Sequence, residues 1–205
     1  FAQKDTLQMG DWYSEDQLYI LVSYNQLFDQ PSQVKGSGFS YGLSSGYIKD
    51  IILNKEGRFA IGVGIGYNYD SFNHGLKVSN TNNVVAFETD ETLTSNQLSI
   101  HNIEFPFEIR WRDSNANKYS FWRVYGGMKY IWNFSSHYKL FHGKSFQNDF
   151  IRKNNTAVFT SFGYNTWNIL FEYDLNSIYN SEINLSVGNI PKLQTLKLGL
   201  IFYIL

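Results

Sequence analysis

The sequence predicts an all-β protein, an eight-stranded antiparallel up-and-down transmembrane β-barrel, and three observations predict it. The first is strict two-residue alternation. In 59–70, Phe59, Ile61, Val63, Ile65, Tyr67 and Tyr69 share one face, while Ala60, Gly62, Gly64, Gly66, Asn68 and Asp70 share the other. The second is the spacing of the links, which alternate between short turns and long loops, as in outer-membrane barrels. The third is composition. Charged residues are 17% of the 205-residue chain and aromatics 18%, with 16 Gly and 3 Pro. Soluble domains carry roughly 25% charge; a barrel whose outer wall meets lipid carries less and rings itself with aromatics.

The elements follow in order, with 1–15 read as a periplasmic N-terminal segment and 16–205 as the barrel. The opening Phe1-Ala2-Gln3 has the form of a signal-peptide tail cleaved after Ala2. The first strand is 16–26, with Leu18, Ile20, Val22 and Tyr24 on one face. The second, 37–50, sets Phe39, Tyr41, Leu43 and Tyr47 against Gly38, Ser40, Gly42, Ser44 and Gly46. Asn54-Lys55-Glu56-Gly57 reads as a tight turn into the third, 58–70. In the fourth, 97–112, Leu98 and Ile100 are out of phase with Ile103, Phe105, Phe107, Ile109 and Trp111, which predicts a bulge near His101-Asn102. Pro106 falls on its polar face and forfeits a ladder hydrogen bond. The remaining strands are 118–134, 155–165, 167–175 and 192–205. Short links fall at 51–57, 113–117 and 165–166, and long ones at 27–36, 71–96, 135–154 and 176–191. An even strand number puts both termini on the short-turn, periplasmic side. The longest apolar run, Leu198 to Leu205, is too short for a membrane helix.

The two faces of the alternation decide between a soluble and a membrane barrel. The non-apolar face of the second and third strands is Gly, Ser and Ala. Glycine weakens strands and solvates poorly, so it suits a narrow interior better than a water-facing wall. Lipid therefore touches the apolar ring. Glu104, Glu108, Arg110 and Arg112, Arg123 and Lys129, Glu172 and Asp174, and Lys197 then point inward. These four acidic and five basic groups predict a filled, ion-paired lumen, because buried charge persists only when compensated. Trp111, Trp122, Tyr164 and Trp167 fall near the short-turn end, and Tyr67, Tyr69, Trp132 and Phe134 near the other, as two interfacial girdles.

Little in the sequence carries chemistry. With 17 Lys+Arg against 18 Asp+Glu, nothing points to nucleic acid. The lack of cysteine excludes disulfides and thiolate metal sites. Of the four histidines, His74 and His142 read as solvated loop residues. Ser136 and His137 are adjacent and so point apart. His101 has Glu104 near in sequence but no evident nucleophile. Gly62, Gly64 and Gly66 precede no helix and make no phosphate loop. Glu88-Thr89-Asp90-Glu91 lacks a calcium-loop ligand ladder and reads as a solvated acidic loop. No catalytic residue, metal, cofactor or small-molecule substrate is expected.

Several stretches resemble one family. Phe105-Pro106-Phe107-Glu108-Ile109-Arg110-Trp111-Arg112 is followed by Lys118-Tyr119-Ser120-Phe121-Trp122-Arg123-Val124-Tyr125-Gly126-Gly127. To these are added Leu18-Tyr19-Ile20 with Tyr24-Asn25, Gly163-Tyr164-Asn165-Thr166-Trp167-Asn168, and the ending Leu196-Lys197-Leu198-Gly199-Leu200-Ile201-Phe202-Tyr203-Ile204-Leu205. Together they resemble the PorT (SprT) outer-membrane barrels of the Bacteroidetes. The resemblance implies a structural or assembly component of the type IX secretion system, which exports adhesins, gliding-motility proteins and proteases. Its implied partners are outer-membrane lipids and other type IX components, and it supplies no catalytic residues. The alternatives are a lipid-modifying outer-membrane enzyme and a small passive porin.

Overall fold

The computed structural model describes residues 16–28, 38–54, 57–74, 76–81, 84–89, 96–113, 122–139, 145–147, 150–180 and 192–204, with 76–89 and 145–147 described by backbone alone. The strands are β1 (Gln17–Phe28), β2 (Tyr41–Ile52), β3 (Phe59–His74), β4 (Leu76–Thr81), β5 (Val84–Thr89), β6 (Asn96–Arg112), β7 (Trp122–Lys139), β8 (Ser145–Gln147), β9 (Asn154–Tyr164), β10 (Trp167–Asp174) and β11 (Gln194–Ile204). Eight of them pair antiparallel in the order β1-β2-β3-β6-β7-β9-β10-β11, and β11 returns to β1 with Leu18 opposite Ile204. Closure leaves no unpaired strand edge, the condition for crossing a bilayer with strands. This is the eight-stranded up-and-down barrel that the alternation predicts. Two details differ. The long link at 71–96 contains the last four residues of β3 and a separate hairpin of β4 with β5, and 135–154 begins with the continuation of β7 to Lys139, against which β8 pairs. The predicted segment 1–15 lies outside the described residues.

Local chemistry closes the short turns. Asn54 accepts from Gly57 N at 3.0 Å through its carbonyl and from Phe59 N at 2.9 Å through its side chain, and Gly57 takes a φ of 71°. Between β9 and β10 two residues suffice, with Asn165 at φ 57°, a conformation that asparagine tolerates better than most residues. Side chains alternate around the wall. In β1, Leu18, Ile20, Val22 and Tyr24 face outward and Gln17, Tyr19, Leu21, Ser23 and Asn25 face inward. The glycines of β3 make room for the lumen contents. A Cβ on Gly66 would lie 1.9 Å from the Tyr19 hydroxyl, and one on Gly62 would lie 2.7 Å from Arg110 Nε.

The β6–β7 register shifts at His101/Asn102, where the bulge was expected, but the extra residue sits on β7. His101 pairs with Ser135 and Asn102 with Asn133, leaving Phe134 unopposed. β6 never changes phase: its even residues point inward from Asn96 to Arg112. Leu98 and Ile100 are therefore lumen residues, correcting the expectation that a bulge in their own strand returns them to the apolar face. β7 changes phase instead. Phe134 and Ser135 both face out, after which His137 and Lys139 are outward and Ser136 and Tyr138 inward. Pro106 lies inside, opposite Lys129, and the β3–β6 ladder skips Gly64 and Ile65 beside it.

Candidate functional site

The lumen is packed with side chains. All nine charged residues assigned to it from sequence are buried, and Asp50 and Asp70 join them, making six carboxylates to five cations. Both were legible, since Asp50 and Asp70 have the inward parity of the glycine face. Toward the short-turn end, Arg110 donates to Glu108 through Nε at 2.6 Å and Nη2 at 2.5 Å, and to Asp50 at 3.1 Å. Arg112 donates to Asp50 at 2.5 Å and to the Gly57 carbonyl at 2.6 Å. The Tyr125 and Tyr203 rings lie 4.9 and 5.7 Å from the Arg110 guanidinium carbon, close enough for cation–π attraction. Arg123 is buried at the same end of the lumen, on β7 opposite Gly163.

A second cluster fills the middle. Lys129 bridges Glu104 at 3.3 Å and Glu172 at 2.7 Å, and Lys197 bridges Asp70 at 2.9 Å and Glu172 at 3.4 Å. Tyr19 donates its hydroxyl to Glu104 at 2.5 Å. Asn25 donates to Asp70 at 2.8 Å, and Asn102 to Asn68 at 2.7 Å. Asp174 lies above this cluster, lining a cavity of about 30 Å³ with Asp70, Asn102, Asn133, Arg152 and Lys197. That is room for about one water molecule.

An apolar plug closes the long-loop end. Leu27, Phe72, Leu98, Ile100 and Tyr138 from the strands meet Phe150, Ile151, Ile178, Tyr179 and Leu193 from the links. Backbone bonds tie the plug together: Arg152 N to Ile178 O at 2.8 Å, Ile178 N to Leu193 O at 2.9 Å and Asn180 N to Phe150 O at 2.9 Å. His74, expected in solvent, is instead 1% exposed beside Tyr138, with ring centroids 5.5 Å apart. It ends β3 rather than starting a loop, and inward parity carries it into the plug. Burial pushes its imidazole down to about 4 and likewise pushes the Tyr179 phenol up.

Outside, Trp111, Trp122, Tyr164 and Trp167 all face out toward the short-turn end, with Trp122, Tyr164 and Trp167 adjacent in register. At the other end the rings of Tyr24, Phe39, Tyr41, Tyr69, His101, Phe134 and Trp132 follow one another at centroid spacings of 5.0–6.3 Å, with Tyr67 against His101 and Phe134. His101 belongs to this outer ribbon and is bonded through Nδ1 to the Tyr67 hydroxyl at 2.6 Å. Glu104 is inside the barrel, so the wall separates the two residues that sequence proximity brought together. His142, Asp90 and Glu91 lie outside the described residues, as do the surroundings of the Glu88 side chain. Among the described residues no group of three or more His, Asp or Glu could hold a metal ion.

A model of the outer membrane protein β-barrel domain family matches residues 1–180. The chain belongs to that family. An outer-membrane barrel of this kind meets lipid with the ring of exposed Leu, Ile, Val and Phe and keeps its ions inside. Solved structures similar to it include Ail, the attachment invasion locus protein of Yersinia pestis, at 13% identity and a TM-score of 0.38, covering 93% of this chain and 99% of that one. A porin of Rhodopseudomonas blastica matches at 7% identity and a TM-score of 0.17, covering 94% and 100%. No curated protein matches the chain significantly in sequence.

Proposed function

We propose that this outer-membrane barrel is a structural or assembly component of the type IX protein secretion system, with its termini and short turns in the periplasm. The observation that carries this reading is the filled lumen. Two ion-pair clusters and an apolar plug occupy the axis, leaving the outer wall and the loops as the surfaces on which the molecule acts. Long loops on a rigid barrel are the usual seat of recognition. The residues that resemble the PorT family include lumen members of both clusters, Glu108, Arg110, Arg112 and Lys197, so the likeness covers the scaffold that holds the loops in place. Catalysis is not part of the proposal, since His101 is bonded to Tyr67 and turned away from Glu104.

Deletion of the gene tests the reading. Loss of exported adhesins and proteases is expected, restored by a copy in which every histidine is replaced. Purification in mild detergent is expected to bring down other envelope components of the apparatus. Unimpaired secretion in the deletion strain overturns the proposal, and an altered lipid profile in that strain points to a lipid-modifying enzyme instead.

A further inference from the structure

The outward face of β6 and β7 at the long-loop end is polar and basic. Ser99 pairs with His137 and His101 with Ser135, while Lys139 follows on the same face opposite Gln97. The bulge at Phe134 is what turns His137 and Lys139 outward. His101 is held in place by the Tyr67 hydroxyl at 2.6 Å and by neighbouring rings, Tyr69 at 5.0 Å and Phe134 at 6.2 Å. The bond occupies Nδ1 and leaves the Nε2 edge of the ring for another partner, to which it donates in the tautomer where the Tyr67 hydroxyl is the donor. His137 and Lys139 are exposed.

Charge at this end is segregated by side of the wall. Among the residues whose side chains are described, the carboxylates toward the long-loop end, Asp70 and Asp174, are buried in the lumen. Among those same residues, the exposed histidine and lysines there are His137, Lys139, Lys153 and Lys192. The basic patch directly adjoins Trp132 and Phe134 of the lipid-facing wall, on the same strand. An occupant must therefore place apolar mass on that wall and an anion at its rim.

We infer that this face of β6 and β7 binds the phosphate of a membrane lipid headgroup, with Ser99, His101, Ser135, His137 and Lys139 as donors and the acyl chains lying along Phe134 and Trp132. The inference requires only that the barrel spans the membrane and is independent of the secretion role. Aromatic side chains settle at headgroup depth, and basic residues there attract anionic lipid over a distance of about a Debye length.

The test uses the full chain reconstituted in phosphatidylcholine bilayers containing spin-labelled phosphatidic acid or spin-labelled diacylglycerol, reading the motionally restricted fraction of each. The native barrel is expected to select phosphatidic acid. Lys139→Gln is expected to lower that selectivity about fivefold, the effect of removing one lysine at an anionic surface, and adding His101→Gln and His137→Gln to abolish it. Lys49→Gln, at the opposite end, is expected to leave it unchanged. Lys139 is fully outside the core, so its variant folds and is readable even if the triple variant does not. Selectivity unaltered by Lys139→Gln, or lowered equally by Lys49→Gln, overturns the inference. So does displacement of phosphatidic acid by millimolar inorganic phosphate, which would mark a site for the free ion.

Discussion

Lys129 shows what a single side chain does in this lumen. It compensates Glu104 and Glu172 together and lies 5.4 Å from the Phe159 ring centroid. Lys129→Met is expected to cost about 3–5 kcal/mol of unfolding free energy, measured by denaturant titration in detergent micelles, because it leaves buried carboxylates uncompensated. Adding Glu172→Gln should recover part of the loss. Glycines offer a second contrast. Gly66→Ala drives a methyl into the Tyr19 hydroxyl and breaks its bond to Glu104, whereas at Gly126, which faces lipid, the nearest atom to an added Cβ is 3.6 Å away. Heat-shifted gel mobility is expected to report a less stable barrel for Gly66→Ala and an unchanged one for Gly126→Ala. At this scale parity was a good guide: it placed all nine charged residues and equally marks Asp50 and Asp70. Pairing was not legible, because Lys197 meets Asp70 across 127 positions of chain.

Among the elements, β7 departs most from its sequence reading. The out-of-phase Leu98 and Ile100 announced an irregularity at the correct height, but the extra residue is on the partner strand. Two apolar residues of inward parity were a signal of the plug, not of a slipped strand. The plug itself was hidden, since its other half comes from links that carry no periodicity. His74 makes it sensitive to acid. The tip of β3 lies beyond the aromatic ribbon and outside the membrane span, and burial holds the imidazole near 4 against 6.5 when unfolded. A folded-state pKa below the unfolded one means that the unfolded chain binds the extra proton. The contribution to stability is therefore complete above pH 6.5 and is lost as pH falls through about 4. Protection factors of the Arg152, Ile178 and Asn180 amides, taken relative to the intrinsic exchange rate at each pH, should fall on acidification from pH 7 to pH 4, and His74→Phe should flatten that dependence.

For the whole molecule, the filled axis predicts no conductance. Planar-bilayer recordings of the reconstituted barrel should show no steps at neutral pH, and well-defined channels would contradict the packed lumen. Barrel closure, strand number and the inward ions were all readable from alternation, composition and link lengths, because lipid outside and a narrow interior impose opposite demands on neighbouring residues. The zip between β1 and β11 has a further consequence, for biogenesis. Lys197 arrives on the final strand, yet it neutralises Asp70 and Glu172, which are already in place on β3 and β10. A chain lacking that strand would hold surplus negative charge in its centre along with two open edges. Electrostatics and hydrogen bonding thus favour the same event, so that a nascent chain without β11 has no stable closed form and the arrival of that strand is what locks the cylinder.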